Sequence, residues 1–208
     1  MSVSRSIAPP RPPIWITPTF LCSGFAALIY QIVWQRVLFA AFGITIEAVT
    51  IVVTAFLIGL GFGSLIGGEL SKSAERLLVW FAVVELSVAA YGSISVQLFR
   101  AVGDLAATWP AALAEAASFG LVLAPTLLMG ATLPLLVAYA VRVSGNVGRS
   151  VGWLYFVNTA GSAVAAISTA LFVLGHFGER GSVWLAALVN ASVGIFVLTR
   201  HRNSEQSA

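Results

Sequence analysis

The sequence predicts an all-α membrane protein built as a bundle of six transmembrane helices. Of its 208 residues, 59% are apolar and only 9% are charged, whereas a soluble domain carries roughly 25% charged residues. The mean hydropathy is +0.95, and six apolar runs are each long enough to cross a hydrocarbon core of about 30 Å. The runs lack the alternating polarity of a barrel, so we expect helices, which satisfy their own backbone hydrogen bonds in lipid.

The six predicted spans follow one another along the chain with short connections. They cover residues 14–40, 45–70, 77–99, 113–141, 151–175 and 181–199. The predicted organisation is therefore a cytoplasmic tail at 1–13, a six-helix domain at 14–200 and a second cytoplasmic tail at 201–208.

The basic residues predict the orientation of the spans. An even number of spans puts both termini on one side, and eight basic residues then share that side: Arg5, Arg11, Lys72, Arg76, Arg142, Arg149, Arg200 and Arg202. Three fall on the other side: Arg36, Arg100 and Arg180. Because short loops rich in lysine and arginine stay in the cytoplasm, we expect a bacterial-type inner (plasma) membrane protein with both termini cytoplasmic. The basic residues form no run or basic face, so no nucleic-acid partner is predicted.

One acidic residue inside a span predicts a polar pocket. Glu85 lies about 12 Å from the cytoplasmic end of the third span, where an ionisable side chain costs at least about 2.5 kcal/mol and usually faces the bundle interior. Asn158 and Asn190 lie at similar depth, Tyr155 is one turn below Asn158, and Gln31 lies in the first span. With Glu85 they are the candidates for one polar pocket, and the alternative that we favour for the asparagines is pairwise hydrogen bonding between helices. Two interpretations remain open: a carboxylate that binds a cation or a proton, and a protonated carboxyl that hydrogen-bonds to neighbouring helices.

Small residues spaced along two spans predict close helix packing. Gly59, Gly63 and Gly67 are four residues apart and therefore share one face of the second span, where a neighbouring backbone can approach. Gly161 and Ala165 offer a similar face in the fifth span. The glycine-rich stretch does not predict a nucleotide loop, because a membrane helix precedes it where a strand is required, and the basic loop from Lys72 to Arg76 follows it.

Polar and aromatic residues near the outer ends of the first two spans predict an interfacial cluster. Arg36 and Glu47 fall at similar depth and are expected to form an ion pair, and Trp34 is expected in the interfacial aromatic belt. The two histidines have no second ligand at metal spacing, so neither a metal site nor a cofactor is predicted.

Four stretches of the sequence, in matching order, resemble the transmembrane region of membrane-bound spermidine-synthase-like proteins. They are SGFAALIYQxxWxR at 23–36, AFxxGLGxGSxxGG at 55–68, MGATLP at 129–134 and GRxxGxxYxxNTxG at 148–161. Members of that family fuse a membrane region to an aminopropyltransferase-like domain. The same patterns are similar to one six-helix half of a major-facilitator transporter, which the fold is expected to resemble.

The functional prediction depends on motifs of that family that this sequence lacks. Fused members continue into a Rossmann-like domain that would bind the aminopropyl donor, and this sequence has no strand–glycine loop or acidic clamp for it. No catalytic residue is therefore predicted, and the chain is expected not to be an enzyme. The favoured hypothesis is an accessory or scaffolding subunit that contacts the bilayer and other membrane subunits or a second copy. The alternatives are a half-size transporter for a small cation or polyamine, acting as a dimer, and the membrane anchor of a split aminopropyltransferase.

Overall fold

A computed structural model of the protein describes residues 12–42 and 46–206, which are helical apart from short connections. The side chains of residues 42, 46–48, 73 and 204–206 lie outside the description. Its elements are α1 (Ile16–Phe42), α2 (Ile46–Ser73), α3 (Leu77–Ala106), α4 (Ala111–Ser144), α5 (Val147–Ser168), a short π-helix (Thr169–Val173) and α6 (Leu174–Gln206). No strand occurs in these ranges, which confirms the all-α fold class.

Five helical segments among the described residues are long and apolar enough to cross a membrane. They are Ile16–Ala41, Val49–Lys72, Leu77–Ala106, Ala111–Ser144 and Val147–Asn203. Their length and apolarity are consistent with a membrane protein. The predicted count of six spanning helices is not matched, because the fifth and sixth predicted spans lie in one helical segment of 57 residues.

This long segment reverses its direction at Gly178, although no loop interrupts it. Near its start, Trp153 Nε1 donates a hydrogen bond to Thr17 Oγ1 at 3.1 Å. Near its end, the ring of Phe196 packs edge-on against Trp15, with 6.0 Å between centroids. Both ends of the segment therefore lie beside the start of α1. Gly178 has φ 62° and ψ −174°, a conformation that is essentially restricted to glycine.

The reversal makes a testable prediction about Gly178. We expect Gly178→Ala to lower the free energy of unfolding by about 1–2 kcal/mol, because a residue with a Cβ pays a steric cost in this conformation. The measurement is denaturant titration of the purified protein in mild detergent. Gly175→Ala is the matched control, since a Cβ added at Gly175 meets no atom within 4 Å. Equal stability of the two variants would contradict the role assigned to Gly178.

The helices pack in a small number of close pairs around α1. Helix α2 packs against α4, α3 packs against α6 and α4, and α1 contacts α5, α6 and α3. The central position of α1 explains why many of its side chains are fully buried, among them Phe20, Ile29, Tyr30 and Trp34.

The predicted packing residues lie at helix contacts. Those of α2 face α4: a Cβ added at Gly59 would clash with Thr126, one at Gly63 with the backbone of Leu127, and one at Gly67 with Ala131.

The small residues of α5 face α1. A Cβ at Gly161 would clash with the carbonyl oxygen of Leu21. Ala165 is fully buried on the same helix. At Gly161 the missing side chain lets the backbones of α5 and α1 come within contact distance.

Trp34 corrects one expectation about α1. Its side chain is fully buried, and its indole lies among the rings of Tyr30, Phe56, Tyr91 and Phe99, with centroid distances of 4.9 to 6.1 Å. The expected position of Trp34 in an interfacial aromatic belt is therefore wrong. Burial inside the aromatic cluster is favourable because the indole N–H donates a hydrogen bond to Ser95 Oγ at 2.8 Å. The indole therefore does not need water as a hydrogen-bond partner.

Candidate functional site

The interior of the bundle contains a cavity of about 110 Å³ to which all six helices contribute side chains. Its polar lining residues are Ser23, Gln31, Glu85, Thr132, Asn158, Ser162 and Asn190. Its apolar lining residues are Ala27, Leu28, Phe56, Leu60, Val88 and Met129. The cavity therefore combines polar and apolar side chains, and its residue Glu85 lies about 12 Å along α3 from the start of that helix.

Glu85 is the acidic residue of the cavity. Its side chain is 1% exposed, and Ser23 Oγ on α1 donates a hydrogen bond to Glu85 Oε1 at 2.6 Å. Glu85 Oε2 has no hydrogen-bond partner among the described residues. Since a buried carboxyl is stabilised only by partners, Oε2 is the unsatisfied half of this group.

Two asparagines bring amide groups to the same cavity from different helices. Asn190 on α6 is 3% exposed, and its Oδ1 also has no partner within the described part of the chain. Asn158 on α5 donates through Nδ2 to the carbonyl oxygen of Phe20 at 3.3 Å, which joins α5 to α1. Ser162, one turn further along α5, donates to the carbonyl oxygen of Gly24 at 3.0 Å.

The structure brings four of the five predicted pocket residues together. Glu85, Gln31, Asn158 and Asn190 line one cavity, whereas Tyr155 lies outside it and is 62% exposed. The physical reason is helical geometry: three residues turn a helix by about 300°, so Tyr155 points about 60° away from Asn158.

Three hydroxyl residues of the cavity were missed by the sequence analysis: Ser23, Thr132 and Ser162. Hydroxyls are common in membrane helices, where they often donate to the carbonyl of the preceding turn. The presence of these three hydroxyl residues in the spans therefore did not indicate that they line a cavity. Ser23 could have been found only by knowing which residue of α1 faces Glu85, 62 positions away in the sequence.

The predicted pair of Arg36 and Glu47 is not tested, since the side chain of Glu47 lies outside the described residues. The structure gives Arg36 a different neighbour, Glu179, with 3.9 Å between Arg36 Nε and Glu179 Oε1. Arg100 Nη2 donates to the other carboxylate oxygen of Glu179 at 2.9 Å. Both arginines are largely exposed, so each pair contributes at most about 1 kcal/mol to stability.

The geometry defines a class of protein: an apolar helical bundle with an interior cavity that carries one carboxyl group. Among the described residues, no group of three or more His, Cys, Asp or Glu side chains could hold a metal ion. The unpartnered oxygens of Glu85 and Asn190 are hydrogen-bond acceptors. Such a cavity is suited to bind a hydrogen-bond donor.

The chain is similar to bacterial polyamine aminopropyltransferases over most of its length. It is 28% identical over 203 aligned residues to polyamine aminopropyltransferase 1 of Streptomyces coelicolor, a match that covers 92% of this chain and 36% of that protein. It is 22% identical over 175 residues to a polyamine aminopropyltransferase of Oceanobacillus iheyensis, covering 84% of this chain and 33% of the other. The chain thus spans about a third of the length of the curated relatives it matches. No protein-family model matches it, and no solved structure does.

These matches correct one prediction and support another in part. The expectation that the chain is not an enzyme is overturned, because both relatives are named as enzymes. The resemblance to membrane-bound spermidine-synthase-like proteins is supported as a weak similarity to polyamine aminopropyltransferases over about 90% of the chain. The likeness of the whole helical region to these enzymes outweighs the missing donor-binding motif.

Proposed function

We propose that this chain forms the membrane-embedded part of a polyamine aminopropyltransferase. The observation that carries the proposal is the match to two such enzymes across 92% and 84% of a chain whose helices are long and apolar enough to span a membrane. Polyamines and an aminopropyl donor are charged and water-soluble, so their reaction needs a site open to water. In this proposal the bundle holds that catalytic part at the membrane surface.

The proposed arrangement in the membrane follows from the reversal at Gly178. If the 57-residue segment crosses twice, the bundle crosses six times and both ends of the chain lie on one side. That side carries Lys72, Arg76, Arg142, Arg149, Arg200 and Arg202, six described basic residues against three (Arg36, Arg100 and Arg180) on the other. The excess favours the cytoplasmic side of a bacterial inner membrane for the chain ends.

A groove at this proposed cytoplasmic end offers a place for the catalytic part to dock. It encloses about 420 Å³ and is lined by Arg76, Arg142 and Arg200, with Glu75 beside them. Arg142 Nη2 donates to the carbonyl oxygen of Ser71 at 3.0 Å, which fixes the guanidinium group at the end of α2. The other donors of Arg142 are suited to pair with a carboxylate of a docked surface.

The proposal is tested by isolating the chain from its native membranes. We expect an affinity-tagged chain, purified in mild detergent, to carry aminopropyl transfer to a polyamine acceptor, and we expect that activity to stay with membranes washed at alkaline pH. The control is the same purification from cells in which the chain has no tag. Intact chain recovered with no transfer above that control would refute the proposal.

A further inference from the structure

We infer that the buried cavity binds the ammonium end of a small alkylammonium ion. The site is formed by Glu85 on α3 and Asn190 on α6, with apolar side chains around them. This inference goes beyond the proposed function, because membrane attachment of an aminopropyltransferase requires no ligand inside the bundle, and it depends only on the geometry of the cavity.

The first argument is the excess of acceptors. Glu85 and Asn190 line one cavity, and both side chains are at least nine-tenths buried. Neither Glu85 Oε2 nor Asn190 Oδ1 has a partner among the described residues. An unpaired buried acceptor costs about 1–3 kcal/mol. An ammonium group has three N–H donors and no acceptor, so it has a donor to offer each of the two oxygens.

The second argument is that the hydroxyl donors of the cavity are already engaged. Ser23 donates to Glu85 Oε1, Ser162 to the carbonyl oxygen of Gly24, and Thr132 to the carbonyl oxygen of Met129. The two unpartnered oxygens therefore need a donor from outside these groups. A positive charge suits the site better than a neutral donor, since a buried carboxylate is stable only with a compensating charge or several hydrogen bonds.

The third argument is size and shape. The cavity volume is about 110 Å³, which is roughly four times the 30 Å³ that one water molecule occupies in the liquid. An ammonium nitrogen with three methylene-sized groups fits that space. Leu28, Phe56 and Met129 provide apolar surface for the alkyl part. A hard metal ion such as Ca²⁺ takes six to eight oxygen ligands, far more than the two free oxygens.

The test is direct binding to the purified chain in lipid nanodiscs, measured by isothermal titration calorimetry. The probes are propylammonium, 1-propanol as the neutral analogue of similar size, and sodium ion. We expect propylammonium to bind and the other two to give no saturable heat at the same concentrations. No binding of propylammonium, or equal binding of 1-propanol, would overturn the inference.

Variants assign the binding to the cavity. Glu85→Gln keeps the size of the side chain and removes its charge, so we expect the Kd for propylammonium to rise at least tenfold. The matched control is Glu115→Gln, which removes an exposed carboxylate on α4 and is expected to leave the Kd unchanged. An unchanged Kd in Glu85→Gln would overturn the assignment.

A second variant keeps the inference testable if Glu85→Gln does not fold. Ala27→Leu retains the carboxyl group and fills the cavity from α1, so we expect folded protein that no longer binds propylammonium. Independently, a hydrophobic carbodiimide should modify Glu85 in the unaltered chain, and propylammonium should slow that modification at least tenfold. Binding retained in Ala27→Leu, or modification of Glu85 at the same rate with and without propylammonium, would each contradict the site.

Discussion

Replacing Trp34 by alanine is expected to lower the free energy of unfolding by about 3 kcal/mol. In lipid an unfolded helix leaves its apolar side chains in hydrocarbon, so little hydrophobic transfer energy is lost, and the cost comes from the cavity left behind. Removing the indole leaves a space on the order of 140 Å³, and at about 24 cal/mol per Å³ this gives the expected value. Denaturant titration in mild detergent measures it.

The effect should be specific to the aromatic cluster around Trp34. Trp80 on α3 is 44% exposed, so Trp80→Ala removes the same group from a site where lipid fills the space, and we expect a change within about 0.5 kcal/mol. Trp34→Phe retains an aromatic ring and loses the hydrogen bond to Ser95, so its cost should lie near 1 kcal/mol. A similar loss in Trp34→Ala and Trp80→Ala would show that the cluster around Trp34 does not stabilise the bundle.

The contrast between these two tryptophans shows what the sequence can and cannot predict. The spans themselves are predictable, because apolar length is a local property that lipid selects directly. The sequence does not show which side of a helix faces the other helices. In lipid both faces are apolar, so hydropathy does not distinguish the buried Trp34 from the exposed Trp80, and an interfacial position for Trp34 was the natural but wrong prediction.

The candidate cavity was predictable only for those residues whose exposure to lipid has a high free-energy cost. Glu85 and the two asparagines could be placed in the bundle interior because exposure to hydrocarbon is unfavourable for each of them. Tyr155 gave no comparable signal, since a tyrosine tolerates an exposed position at membrane depth or near the interface. Ser23 was missed because its partner Glu85 lies 62 residues away, a contact that only the tertiary packing of α1 against α3 creates.

The predicted count of six separate spanning helices was not matched for a third reason. The fifth and sixth spans were predicted as separate apolar runs ending at residue 175 and starting at residue 181, yet the chain stays helical up to and beyond a single residue, Gly178. One residue with a positive φ angle is enough to reverse the chain, and the sequence offers several glycines without showing which of them adopts it.

Replacing Gly63 by alanine is expected to lower the free energy of unfolding by up to about 3 kcal/mol, the upper range for overpacking a tight contact. A Cβ at Gly63 would clash with the backbone carbonyl oxygen of Leu127 and would lie 3.0 Å from the Cα of Gly130. Backbone atoms cannot rotate away as a side chain can. The added methyl group must therefore separate α2 from α4 along their whole contact, which thermal unfolding in detergent would detect.

Gly61, two residues before Gly63 on α2, provides a matched control. A Cβ added at Gly61 meets no atom within 4 Å, because that position points away from α4, so Gly61→Ala should change stability by no more than about 0.5 kcal/mol. Both variants alter the helix propensity of α2 by the same amount, and any difference between them therefore reports the contact with α4. If Gly63→Ala were as stable as Gly61→Ala, the close approach of α2 and α4 would be excluded. The spacing of Gly59, Gly63 and Gly67 would then need another explanation.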